Sequence, residues 1–302
     1  AARAPMNKTL TRRKLVPRHP RELDFADGIP VNWANGDVFR SRFFDAFSTT
    51  LPEGEKFFIV SLRQFKDQLQ DPALQQELKD FIRQEGLHGI LHNAYNNRLG
   101  RQGVDIETIT QVLRKFFAAH TRILSPRMQL TLTACAEHLT ASMAHAILGR
   151  SSHLFDGADE RVRALYFWHA AEEIEHKSVA FDLLQNQAKV GYIPRVVMMA
   201  YISIVFHALV FPILEHVLRN DGYTARERVG LWGQGLWWLF KPKRGGFYFD
   251  LMGHYLSWFK PGFEPWSHGD LEAYDRWIER YAESGDVRPA TEDTYAALSK
   301  AA

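Results

Sequence analysis

A single cysteine in 302 residues, Cys135, excludes a disulfide framework. That scarcity fits a reducing, cytoplasmic compartment, with Cys135 as a small buried hydrophobe. Net charge is nearly absent as well. Thirty-seven basic and 35 acidic side chains leave +2 with histidine neutral, so nothing in the composition points to nucleic acid. The first twenty residues are basic and lack an apolar core, so no secretory signal is expected. Low-complexity tracts and solenoid-length repeats are missing too. Long apolar runs are scarce, with one exception at 196–214.

Histidine and aromatic residues are plentiful by contrast: 13 His, 21 Phe, 10 Tyr and 8 Trp. Two of the histidines fall in Trp168-His169-Ala170-Ala171-Glu172-Glu173-Ile174-Glu175-His176. Read as helix, this stretch sets His169, Glu173 and His176 at i, i+4 and i+7, on one face. Two imidazoles and a carboxylate on one stripe suit a divalent transition metal. The surrounding apolar seam, Val162, Leu165, Ala180 and Leu183, predicts a helix from about 158 to 187 with these ligands in register.

Three earlier segments repeat the pattern of a carboxylate on a buried stripe. After a short predicted helix over 37–47, Pro52 opens a helix to about residue 69 whose seam is Phe58, Leu62, Phe65 and Leu69. Stepping back three residues from Phe58 lands on Glu55, with Glu53 as its rival for a ligand role. A helix over about 72–99 carries Leu74, Leu78, Phe81, Glu85, His88, His92, Tyr95 and Leu99 on one seam. Its Glu85-x-x-His88 matches Glu173-x-x-His176. Gly86 and Gly89 beside it cost about 1 kcal/mol each in helix propensity, which predicts a close approach there. A helix over about 106–124 offers no ligand stripe. The next, from Ser125-Pro126 to about 148, places Glu137 midway along Leu130, Ala134, Ala141, Ala144 and Leu148.

Glu55, Glu85, Glu137 and Glu173 therefore all lie where their own helices turn inward. Buried unpaired carboxylates cost several kcal/mol each, and four together repel. Two divalent cations neutralise them. One Glu from each of two helices and Glu-x-x-His from each of two others is the layout of a di-metal carboxylate bundle. The expected ligands are Glu55, Glu85, His88, Glu137, His169, Glu173 and His176, around two Fe ions, with Mn or Zn as alternatives. His92 is read as a packed or supporting histidine, and Tyr95 as core. Glu172 and Glu175 are read as facing solvent or orienting ligands, and His120 and His145 as surface or core residues.

Three blocks resemble a bacterial, ferritin-like family described as predicted metal-dependent hydrolases. They are Leu51-Pro52-Glu53-Gly54-Glu55-Lys56-Phe57-Phe58, the run from Phe81 through His88 and His92 to Asn96, and Trp168 to Lys177. The resemblance runs over about residues 20–280 and implies hydrolysis. His169-x-x-x-Glu173-x-x-His176 is also similar to the ligand stripe of non-haem di-iron arylamine N-oxygenases, which implies O2 chemistry. The expected architecture is all-α: a ferritin-like four-helix bundle over 37–190 with one crossover helix, and additional C-terminal helices over 191–302 packed on it. Residues 1–22 are expected as a solvated basic tail and 23–36 as an ordered loop holding Phe25, Val31 and Trp33.

Val196 to Leu214 is long and apolar enough to cross a membrane. Burial at a domain centre or in a homodimer interface is the favoured expectation. Membrane-surface contact, shared with the Trp-rich 231–266 segment, is the alternative. Three functions follow from the ligand set. The first is a di-iron oxygenase or oxidase that takes O2, electrons from an unnamed donor and an apolar or aromatic small molecule. The second is a hydrolase that uses the same metals to activate water. The third is metal storage, which the large apolar extension fits poorly.

Overall fold

Aspartate or serine opens helix after helix in this chain. Asp37, Asp71, Asp105, Ser125 and Asp159 each accept a hydrogen bond from a first-turn backbone N–H. Pro72 and Pro126 follow two of them at the position where a missing N–H is harmless. The computed structural model describes residues 12–26, 28–242, 245–267 and 269–301. Its helices are α1 (Val38–Arg63), α2 (Pro72–Arg101), α3 (Ile106–Ile123), α4 (Pro126–Ile147), α5 (Glu160–His176) and α6 (Val179–Asn186). Then come α7 (Tyr192–Asn220), α8 (Ala225–Phe240), α9 (Phe247–Ser257), α10 (Glu272–Ser284) and α11 (Val287–Ala301).

The helices α1, α2, α5 and α4 close a ring in which each packs on the next, and α4 packs on α1. The connecting helix α3 lies outside, against α1 and α2. This is the expected all-α bundle with further helices after it. Of those, α7 covers α1 and α4, α9 covers α4, and α10 and α11 pair beside α5. Gly235 lets α8 approach α1 closely, since a Cβ there would sit 2.3 Å from the Phe39 ring.

Four expectations need correction. First, α1 is one helix, not two. Pro52 lies inside it, and the N–H that proline lacks leaves the Ser48 carbonyl without its helical donor. Asn96 on α2 replaces that donor, its Nδ2 lying 3.0 Å from Ser48 O. Thr49 and Thr50 hydroxyls satisfy the carbonyls of Ala46 and Phe47 just before it. Proline at this position marks a helix start by local rules, and the repair that lets it sit inside a helix comes from another helix. Second, the helix expected over 158–187 breaks at Lys177-Ser178, with no Gly or Pro to mark the place.

Third, the basic segment is only partly solvated where it is described: Arg12, Lys14 and Arg21 are exposed. Leu15 and Arg18 are buried, and Arg12 pairs with Asp182 at 2.6 Å and also with Glu77. Residues 1–11 of the expected tail lie outside the described residues. The 23–36 loop does pack, with Leu23, Phe25, Ile29 and Trp33 buried, while Val31 is exposed. Fourth, α7 is not at the centre of the domain: only 17% of its apolar window is buried.

Beneath the loop, buried Asp45 accepts from Trp33 Nε1 (3.1 Å), Tyr95 OH (2.6 Å), Arg42 (2.8 Å) and Arg98. Arg42 also reaches Asp221 at the end of α7. The bundle's first two helices are thus tied to each other and to the extension.

The repair at Pro52 gives a test. Asn96→Ala leaves a buried carbonyl unmet and should cost about 1–3 kcal/mol in denaturant unfolding. In a Pro52→Ala background the restored N–H serves Ser48, so the same substitution should cost about 1 kcal/mol less. Equal costs in both backgrounds would show that Asn96 does not compensate for the proline.

Candidate metal centre

Each helix of the ring brings a carboxylate to its interior. Glu55 comes from α1, Glu85 from α2, Glu137 from α4 and Glu173 from α5, and all are buried. The imidazoles of His88, His169 and His176 join them, equally buried. All seven sequence-predicted residues therefore meet in one place. Glu173 is the hub. Its Oε1 lies 3.1 Å from His169 Nε2 and 3.6 Å from the Nδ1 atoms of both His88 and His176. Its Oε2 accepts from the Thr140 hydroxyl. His176 Nδ1 is 2.7 Å from Glu85 Oε1 and 3.7 Å from Glu137 Oε2. His169 Nε2 is 3.9 Å from Glu55 Oε1.

Glu53, the rival of Glu55, points elsewhere and meets Arg114 at 3.2 Å. The glycines of α2 are less constrained than expected. A Cβ on Gly89 would make only ordinary contact, 3.8 Å from Glu55 Oε2, and one on Gly86 would meet nothing.

Two groups of donor atoms could each hold a cation. Atoms of Glu85, His88, Glu173 and His176 lie within 4.8 Å of one another, and so do atoms of Glu55, His88 and His169. Glu137 stands just outside both groups.

A sequence profile described as "Predicted metal-dependent hydrolase" matches residues 17–269. The chain belongs to that family. No curated protein and no solved structure matches it.

The family's metal dependence can be tested against the donor atoms of this member. Both oxygens of Glu55, Glu85 and Glu137 are buried without any hydrogen-bond partner, as are Nδ1 of His88 and His176. Buried polar atoms are almost always paired. Here, even the 2.7 Å approach of His176 to Glu85 lacks the direction of a hydrogen bond. The lone pairs face a shared space, which is what a divalent cation needs. Electrostatics agree. Burial, then repulsion from Glu85, Glu173 and Glu137, pushes the Glu55 carboxyl well above the usual range. Glu137 is raised the same way, by burial and then by Glu173 and Glu85. Burial and the neighbouring His169 and His176 hold His88 well below its ordinary value, as a neutral ligand requires.

A second layer orients the imidazoles. His88 Nε2 lies 3.2 Å from Glu172, His169 Nδ1 is 2.7 Å from His92 Nε2, and His176 Nε2 is 3.1 Å from the Gln84 carbonyl. Of the two readings of Glu172 and Glu175, solvent exposure fails: both are fully buried. Glu175 accepts from Gln84, Arg18 and Tyr274 at 2.9, 2.7 and 2.7 Å. Backbone N–H groups of Val16 and Arg18 also donate to these two carboxylates, at 2.9 Å each. His92 is a supporting histidine, held by Ser48 Oγ at 2.8 Å. Tyr95 and Cys135 are core. His120 is half-buried against Tyr201 and His145 stacks on His254, both away from the centre. Sequence reading missed Arg18, Gln84, Ser48 and Thr140. Only Gln84, adjacent to Glu85, carried any local hint.

A carboxylate stranded among carboxylates should be a liability in metal-free protein. Glu137→Met should therefore raise the Tm of chelator-stripped protein, corresponding to about 1–4 kcal/mol. A lower Tm would show that Glu137 already has a partner.

Proposed function

We propose that this protein is a metal-dependent hydrolase with two divalent cations held by Glu55, Glu85, His88, Glu137, His169, Glu173 and His176. The observation that carries the reading is the set of six buried carboxylate oxygens, on Glu55, Glu85 and Glu137, with no hydrogen-bond partner. The family's description adds the reaction class. Cations bound there would supply Lewis acidity and bring the pKa of water toward neutrality.

The chain's own groups do the rest. Glu172, fixed by the Arg18 backbone, holds the His88 ring from behind. Gln84, fixed by Glu175, does the same for His176. Such partners set tautomer and ring direction. Phe47, Phe57, Phe58 and Phe117 surround the approach to Glu55 and exclude bulk water. Glu55 sits where that approach meets the cluster, and its unpartnered carboxylate would hold a cation there or accept a proton from water.

A second reading, di-iron oxidation, rests on the ligand layout alone. A lone Glu on each of α1 and α4 with Glu-x-x-His on each of α2 and α5 is the pattern of di-iron carboxylate bundles.

Protein purified without added metal should contain about two divalent ions per chain by elemental analysis. Glu137→Ala and His176→Ala should each lose most of that metal. Stoichiometric metal in both variants would remove the ligand assignment. Ester hydrolysis should vanish on chelation, return with the native metal, and run equally under nitrogen and in air. Substrate-dependent oxygen uptake by iron-loaded protein would replace hydrolysis with the second reading.

A further inference from the structure

One helix has two apolar faces with different surroundings. The inner face of α7 packs on α1 and α4 and buries Met198, Met199, Val210 and Leu214. Between that face and the bundle runs a narrow apolar cavity. Ile202, Phe206 and Val210 of α7 wall one side, and Glu55, Thr140 and Glu173 lie at its inner end. This apolar route to the metal centre is thus walled by the same helix whose hydropathy passes for a membrane span.

The outer face is uncovered. Ile193, Val197, Ala200, Ile204, Ala208 and Pro212 are all exposed. Their spacings of four, three, four, four and four residues make a single stripe. Ile193 is 72% exposed and Ile204 70%, and no charged residue occurs from 196 to 214. Beside α7, Trp237 and Phe240 of α8 and Leu256 of α9 are also exposed. Hydrogen bonds between Ser203 and Tyr255 and between His207 and Tyr248 dock α9 on α7.

We propose that the outer face of α7 rests on an anionic lipid bilayer, and that the cavity behind it admits the acyl or alkyl chain of a membrane-resident substrate to Glu55 and Glu173. The substrate class rests on the hydrolase reading; the bilayer contact does not. Charge selects the bilayer over a second copy of this chain. Among the described residues of 191–263, the exposed charged side chains are Arg219, Arg226 and Lys260 against Glu227 alone. An anionic surface attracts a segment whose exposed charge is mainly basic, whereas a second copy of it carries the same sign and offers no such attraction. The helix lies along the surface and does not cross it, because its inner face belongs to the bundle core.

The test is flotation of the purified protein with vesicles of equimolar phosphatidylcholine and phosphatidylglycerol. The protein should float with them, and less with phosphatidylcholine alone or in high salt. Val197→Asp combined with Ile204→Asp should lower partitioning by about tenfold or more. Metal content and helicity should stay unchanged, since both positions are solvent-facing. Protein that stays in the soluble fraction with the anionic vesicles overturns the proposal. So does a dimer, seen by light scattering, that Ile204→Asp converts to monomer. Flotation needs no turnover, so vesicle-bound protein that consumes O2 with substrate when iron-loaded would support the bilayer contact while removing the hydrolase reading.

Discussion

The structure depends on how four buried carboxylates avoid repelling the bundle apart. Glu55, Glu85, Glu137 and Glu173 each leave water for the same interior, and a desolvated charge survives only with a counter-charge. Protein groups cover only part of the need. Burial would push Glu173 up, but His169 and His176 beside it hold it well down. Burial would push His176 down, but Glu85 and Glu173 raise it well above its ordinary value. One imidazolium can serve this hub, yet Glu55 and Glu137 remain unmatched. The geometry of four helices around a deficit of positive charge is therefore a specification for cations, reached without reference to any reaction.

Support for the imidazoles extends a long way from the cluster. Arg18 touches Glu172 and Glu175 and stacks near Trp277 and Tyr281 of α10. Those glutamates hold His88 and, through Gln84, His176. On the opposite side the missing N–H of Pro52 draws Asn96 to Ser48, and Ser48 holds His92, which holds His169. An irregularity in one helix is thus coupled to the direction of a ligand ring on another. Both chains of contact end in imidazole nitrogens whose other side faces the carboxylates.

Sequence periodicity made the centre legible because it samples one helix at a time, and each ligand lies on its own helix's apolar stripe. The seven residues needed no knowledge of neighbours. What stayed hidden was whatever one helix supplies to another. Arg18 looked like a tail residue because its partners lie more than 150 positions away. Pro52 looked like a helix start because Asn96 is on α2. The break at Lys177-Ser178 falls immediately after His176, the last ligand, where Lys177 turns its ammonium over the Trp266 ring at 4.0 Å. No propensity rule marks it. Hydropathy alone found α7 but could not say which of its faces the bundle would take.

That last ambiguity has a physical resolution in the fold. A ring of four helices with ligands pointing inward still has seams, and α1 and α4 form one of them. Water entering there would compete for the cations and weaken every electrostatic contact inside. A polar helix over the seam would bring water with it. An apolar one keeps the approach to Glu55 dry. The inner stripe of α7 is therefore explained by the site. Its outer stripe is not, because a helix that only sealed a seam would carry charge on the side facing solvent, as α10 does with Glu272, Asp275, Arg276, Glu279 and Arg280. Uncharged residues line both sides of this helix, and among the described residues only the inner side has an apolar counterpart.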